Sequence, residues 1–192
     1  MEKTLTRKDL IFKEAAGLFQ SQGYVGTSMR DLATKVGLKP SSFYSHIKSK
    51  HEILETICNQ SAARFLSGLE QIKNSIDDPF DQWIATVDLH ISIAFENPSA
   101  ITVFNDEWRH LEGDSLTYFL SQRKIYQQGV VGVIKSAILS GKMRDLDPNL
   151  VFNTMIGATR WLHFISSPGK ASAERIAGQV QELLLSGLKK ES

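Results

Sequence analysis

Between Thr27 and Lys50 the chain gathers Ser28, Arg30, Lys39, Pro40, Ser41, Ser42, Tyr44, Ser45, His46 and Lys48. Hydroxyls, one imidazole and several cationic groups at this density are hydrogen-bond donors for phosphate oxygens and base edges, not the parts of a bond-breaking centre. The guanidinium of Arg30 can address a guanine edge through two parallel hydrogen bonds. Lys48 and Lys50 stand where a helix should begin, so side chain and helix N-terminus together can meet a phosphate. The charge distribution points the same way. Residues 1–54 carry nine Lys/Arg against five Asp/Glu, an excess of four positive charges, whereas residues 55–192 carry an excess of three negative ones. A polyanion is therefore expected to meet only the first part.

Residues that could do other chemistry lack their partners. His51 and Glu52 have no second histidine at helical zinc-protease spacing, and His110 and Glu112 have no cysteine pair to complete a deaminase-type zinc site. Cys58 is the one cysteine, which excludes an intrachain disulfide and a thiolate cluster. Gly129-Val130-Val131-Gly132 lies in a helical pattern without the lysine of a phosphate loop, and its glycines read better as places of close helix packing. Ser166 and Ser167 have no acid–histidine pair nearby in sequence. No enzyme, cofactor or metal site is expected.

The elements that must position the donors read as helices throughout, because apolar residues recur at three-and-four spacing and alternation never persists. The expected class is all-α. Ile11, Ala15, Leu18 and Phe19 form one stripe that Gly23 ends. Thr27 or Ser28, with Asp31 as return partner, can cap a second helix whose buried face is Met29, Leu32, Ala33 and Val36. After Gly37, Pro40 opens a short third helix to about Ile47, and Ser49 with Glu52 caps a long fourth one. Leu38, Phe43 and Ile47 can face inward, which leaves Lys39, Ser41, Ser42, Tyr44, Ser45 and His46 outward. Further helices are expected near 79–96, 98–110, 114–140, 147–165 and 172–188, punctuated by Pro79, Pro98, Pro148 and Pro168. Apolar runs are far shorter than the ~20 residues of a membrane span. The mixed charges of MEKTLTRKDLIFKEAA do not resemble a secretory leader, so a cytoplasmic location is expected.

Helix, glycine turn and second helix over Thr27–Ile47 have helix-turn-helix spacing. On the stretch AAGLFQSQGYVGTSMRDLATKVGLKPSSFYSHIKSKHEIL, residues 7–54 resemble the DNA-binding domain of the TetR family of repressors, with matches including Phe19, Gly23, Tyr24, Thr27, Ala33, Gly37, Tyr44, His46 and Lys50. The resemblance implies a phosphate contact from Tyr44, phosphate anchoring by Thr27 and Lys50, and base reading by the helix Pro40–His46. Lys39 stands where the family often has Ser, and Ile47 where it often has Phe. The expected partner is double-stranded operator DNA. Domain boundaries are placed at 1–54 for the helix-turn-helix domain and 55–192 for a helical ligand-binding and dimerisation domain, joined by the long fourth helix.

In the second part, Val151, Phe152, Met155, Ile156, Thr159 and Leu162, with Ile176, Val180, Leu183, Leu184 and Leu188, could pair two subunits as a four-helix bundle or finish the subunit's own core. The aromatics Trp83, Phe104, Trp108, Phe119, Tyr126 and Trp161 are either plain core or the lining of an apolar pocket with Arg109 and Arg123 at its mouth. The order EWRHL, RKIY, SGKMRDLDP, a tryptophan helix, SSPGKASAERIA and LLLSGL is similar to acyl-CoA-responsive members of the family. That likeness implies a small hydrophobic effector, with an acyl-CoA thioester as the candidate inducer. The readings carried forward are a dimeric, ligand-responsive repressor, an architectural DNA binder without a ligand, and a helical enzyme acting on an acyl-CoA.

Overall fold

Prolines and side-chain caps set most of the helix starts. In the computed structural model, which describes residues 6–165 and 170–188, the helices are α1 (Arg7–Gly26), α2 (Met29–Lys35), α3 (Pro40–Tyr44), α4 (Lys50–Ser75), α5 (Pro79–Glu96), α6 (Pro98–Thr102), α7 (Gly113–Leu139), α8 (Pro148–Arg160) and α9 (Lys170–Ser186). No strand occurs among the described residues. Thr6 and Ser28 each close a reciprocal capping box, with Asp9 and Asp31. Asp78 and Asp147 cap α5 and α8, which begin at Pro79, as expected, and at Pro148, one residue after the expected start. No helix among the described residues is long and apolar enough to cross a membrane. Ser166, Ser167 and Pro168 lie outside the described residues.

The element expected over 98–110 is not one α-helix. After α6 the backbone widens into a π-helical turn at Val103–Glu107 and then tightens into a 3-10 turn at Trp108–His110. The last turn of the helix expected to 165 is likewise 3-10, over Trp161–Phe164.

The chain divides into two compact units, and the division is not a single cut. The first unit holds the residues through Ala62 together with Ser99–Leu120; the second holds Ala63–Pro98 and the residues from Ser121 onward. Both α4 and α7 thus contribute to each unit. The first unit's core joins Ile11, Ala15 and Phe19 of α1 to Leu32, Phe43, Ile47 and Leu54, and takes in Val103, Leu111 and Phe119 from the later segment. In the second unit Trp83 and Val87 of α5, Val130 and Ile134 of α7, and Met155 of α8 are wholly or almost wholly buried. Here α4 crosses its neighbours closely. A Cβ on Gly68 would stand 2.5 Å from a methyl of Leu89, and one on Gly129 2.8 Å from a methyl of Leu69. Gly129 therefore has the packing role expected of it, whereas Gly132 has open space around it.

Of the residues that could pair two subunits, Val151, Phe152, Met155, Thr159, Leu162, Val180 and Leu184 are buried within their own unit. From α8 through α9, the large apolar groups left exposed among the described residues are Leu150, Trp161, Phe164 and Leu183.

Candidate DNA-reading face and effector core

The turn from α2 into α3 is made by Gly37 at φ +66°, a left-handed conformation that residues with a Cβ rarely adopt. Beyond it, Phe43 and Ile47 are fully buried and Leu38 packs against the same core. That anchoring turns Lys39, Pro40, Ser41, Ser42, Tyr44, Ser45 and His46 outward, all exposed, as are Ser28, Arg30 and Lys48. Tyr44 is 54% exposed, with its ring edge-on to Phe43. Ser45 donates to the Ser42 carbonyl at 2.7 Å, closing the last turn of α3, and the Ser28 hydroxyl is held by Asp31 at 2.6 Å. Lys39 occupies the N-cap position of α3 without a side-chain cap. The remaining donors form one polar face on a five-residue helix.

Two residues expected to reach for phosphate are turned inward. Thr27 is buried, and its hydroxyl donates to the Gly23 carbonyl at 2.9 Å. Lys50 donates through Nζ to the carbonyls of Tyr24 and Thr27, at 2.6 and 2.7 Å, and its ammonium lies 4.3 Å from the centre of the Tyr24 ring. Burial lowers its pKa from the ordinary lysine value. Helix ends leave carbonyls without intrahelical partners, and a lysine there satisfies them. Thr27 and Lys50 thus hold the turn between α1 and α2.

Sequence reasoning missed the contacts that tie the segment after α5 to α1. Tyr24 donates its backbone N–H to Glu107 at 3.2 Å, and its ring stacks on His110, which pairs with Glu107 at 3.4 Å. Gln20 bridges Thr102 and Ser99, donating to the first at 3.1 Å and accepting from the second at 2.7 Å. These partners are about eighty residues apart, and no local pattern announces them.

The aromatic set expected to line a pocket is shared between the units. Phe104, Trp108 and Phe119 come together in the first unit, where Phe119 is fully buried with the other two rings 5.5 and 5.9 Å away. Arg109 is exposed and donates Nε to the Asp106 carbonyl of its own turn. Trp83 and Tyr126 are buried in the second unit; Arg123 and Trp161 are exposed there. Tyr126 meets His90, which sequence reasoning did not single out, at 2.8 Å, with the Phe65 ring against both. Burial pushes the Tyr126 phenol up and the His90 imidazole down to about 4, so His90 is neutral near pH 7.

The family of bacterial regulatory proteins, tetR family, matches residues 11–57, and the tetracyclin repressor-like C-terminal domain matches residues 77–188. The chain belongs to the TetR family of transcriptional regulators. It is similar to the HTH-type transcriptional repressor KstR2 of Mycolicibacterium smegmatis, at 24% identity over 95% of this chain and 91% of that protein. The KstR2 of Rhodococcus jostii is 26% identical over the same shares. Among solved structures, the ketosteroid transcriptional regulator KstR2 of Mycobacterium tuberculosis superposes with a TM-score of 0.92 at 22% identity, over 98% of each chain. AibR, solved with isovaleryl coenzyme A and operator DNA, superposes at 0.82 and 22% identity over 93% of this chain and 97% of its own. As a TetR-family protein the chain is a helix-turn-helix regulator with an effector domain, not an enzyme. The match to the TetR C-terminal domain includes the segment 99–120, which packs into the first unit's core. In this TetR-family member the sensor's sequence therefore completes the DNA-reading unit.

Proposed function

We propose that this protein is a cytoplasmic, dimeric repressor that leaves a near-palindromic operator when a small hydrophobic effector, in the first instance an acyl-CoA thioester, binds its carboxy-terminal half. The observation that carries the reading is the join just described. The polar face of α3 stands on a core that also takes in Val103, Leu111 and Phe119 from the sensor's sequence, so strain imposed there reaches the base of the reading head. Ser41, Ser42 and Arg30 are the base readers, and Tyr44 and Lys48 the phosphate contacts. A short reading helix spans few base pairs, so a pair of them is needed for useful specificity. The exposed Leu150, Trp161, Phe164 and Leu183 supply an apolar surface for that pairing.

For an acyl-CoA, the apolar chain enters the second unit while the charged nucleotide stays at the surface, because burying its phosphates would be costly. Arg123, exposed on α7, is the candidate contact for that charge. AibR, with isovaleryl coenzyme A bound, supports the choice of effector class. The test is a gel-shift titration of the operator complex with acyl-CoAs, the matching free acids and CoA. The expected result is release of DNA by one or more thioesters, ~5–150-fold in affinity, as a coupling of ~1–3 kcal/mol gives, with Arg123→Ala weakening thioesters far more than free acids. Release by a free acid or an uncharged compound, with every thioester inert, overturns the acyl-CoA assignment and leaves the sensor.

A further inference from the structure

Inside the second unit, several buried polar groups have partners within the protein. Thr86 donates to the Gln82 carbonyl at 2.8 Å, Thr159 to the Met155 carbonyl at 2.9 Å, and His90 and Tyr126 share a hydrogen bond. Trp83 breaks that pattern. Its side chain is 0% exposed, and its indole Nε1 hydrogen has no acceptor in the protein. Indole N–H is a donor only, so nothing but an acceptor can satisfy it. Leaving a buried donor unpaired costs stability that a phenylalanine at the same place would not.

The surroundings say what acceptor would suit it. Trp83, Val87 and His90 repeat at helical spacing on one buried face of α5, and the donor lies two turns, roughly 10 Å, along the helix from the His90–Tyr126 pair. No lysine or arginine is among the buried side chains of the described residues, and the buried imidazoles of this unit, His90 and His163, are not permanent cations, so a carboxylate brought there would find no fixed countercharge. A neutral oxygen meets the donor without that cost. We propose that the Trp83 indole N–H is the donor that reads a neutral carbonyl-type oxygen on the buried part of the effector. The inference rests on the second unit being the effector domain and extends that reading from apolar fit to recognition of one oxygen atom.

The test uses the full chain with ¹⁵N-labelled indole nitrogens and two probes, cyclohexanone and methylenecyclohexane, which share a ring and differ by an oxygen in place of a CH₂. Three tryptophans give three indole signals; Trp83→Phe assigns the one concerned, or Trp108→Phe and Trp161→Phe assign it by elimination should the first variant not fold. Without ligand, the Trp83 proton should resonate at the upfield position of an unbonded indole. Cyclohexanone should move it downfield, and methylenecyclohexane should not. Trp83→Phe, where it folds, should bind cyclohexanone about fivefold to tenfold more weakly with methylenecyclohexane binding unchanged. A Trp83 proton already hydrogen-bonded without ligand, as to an internal water, overturns the inference. So does a signal that cyclohexanone leaves in place, or that both probes move alike. Neither probe carries CoA, so failure of every thioester to release DNA would sink the acyl-CoA reading alone, and an unresponsive Trp83 would sink this inference alone.

Discussion

A single phenol, a single ammonium and a single imidazole separate three kinds of work. Tyr44 projects from the end of α3 with more than half its surface in solvent, so Tyr44→Phe should leave the melting temperature alone. It should weaken specific and non-specific DNA together by about 0.5–1.5 kcal/mol, the worth of one hydrogen bond; anisotropy titrations on operator and random duplexes check this, and loss on the operator alone would make Tyr44 a base reader. Lys50 is expected to act differently because its ammonium is spent on the carbonyls of Tyr24 and Thr27. Lys50→Ala should destabilise the protein by about 1–3 kcal/mol, or roughly 2–4 °C per kcal/mol at this chain length, with an unchanged salt slope of DNA binding. An unaltered melting temperature with a flattened slope would return Lys50 to the phosphate contacts. His90 sets a pH dependence. Its folded pKa, about 4, lies below the ordinary 6.5, so the unfolded chain takes up a proton that the native one refuses. Its contribution is complete above pH 6.5 and is lost as pH falls towards 4, at roughly 1.4 kcal/mol per pH unit. His90→Gln should flatten urea-denaturation stability between pH 6.5 and 4, and equal slopes in both proteins would refute the assignment.

At the scale of elements, the turn between α2 and α3 depends on one backbone conformation. Gly37 has nothing within 4 Å of where a Cβ would stand, so Gly37→Ala tests the backbone alone. A left-handed φ costs an L-residue about 1–2 kcal/mol, and the variant should melt several degrees lower; an unchanged melting curve would show that the turn relaxes freely. The helix that follows illustrates what was legible in the sequence. Pro40, Pro79 and Pro98 each begin a helix at the expected residue because a fixed φ and a missing N–H act locally, whatever the tertiary fold. The inward Phe43 and Ile47 were legible for the same reason: spacing on one short helix decides them. The π-helical turn at Val103–Glu107 was not, since its neighbours Gln20 and Tyr24 are remote in sequence. The partners of Lys50 were not legible either. A lysine at a helix start in a basic segment reads as a phosphate ligand, and only the fold reveals that the end of α1 has arrived beside it with carbonyls to satisfy. The aromatic residues were identified as buried more readily than they were assigned to a site, because helical spacing reports that Phe119 or Trp83 faces inward without reporting which core receives it.

For the whole molecule, the first expectation concerns assembly. With most of α8's apolar face consumed by its own unit, the surface proposed for pairing two subunits is Leu150, Trp161, Phe164 and Leu183. The double change Trp161→Glu and Phe164→Glu should convert the dimer to a monomer in light scattering at micromolar concentration and reduce operator affinity at least tenfold; a wild-type monomer, or a variant that stays dimeric, would remove this surface from consideration. The second consequence concerns the order of synthesis. Because the first unit's core includes Val103, Leu111 and Phe119, that unit is unfinished when its helix-turn-helix leaves the ribosome. Some sixty residues must follow before the core can close, a wait of several seconds at roughly 5–20 residues per second. A nascent chain stalled in that interval would present the reading helix on an open apolar base, and a gene fusion that exchanges this DNA-reading unit must respect three chain crossings where a beads-on-a-string protein has one.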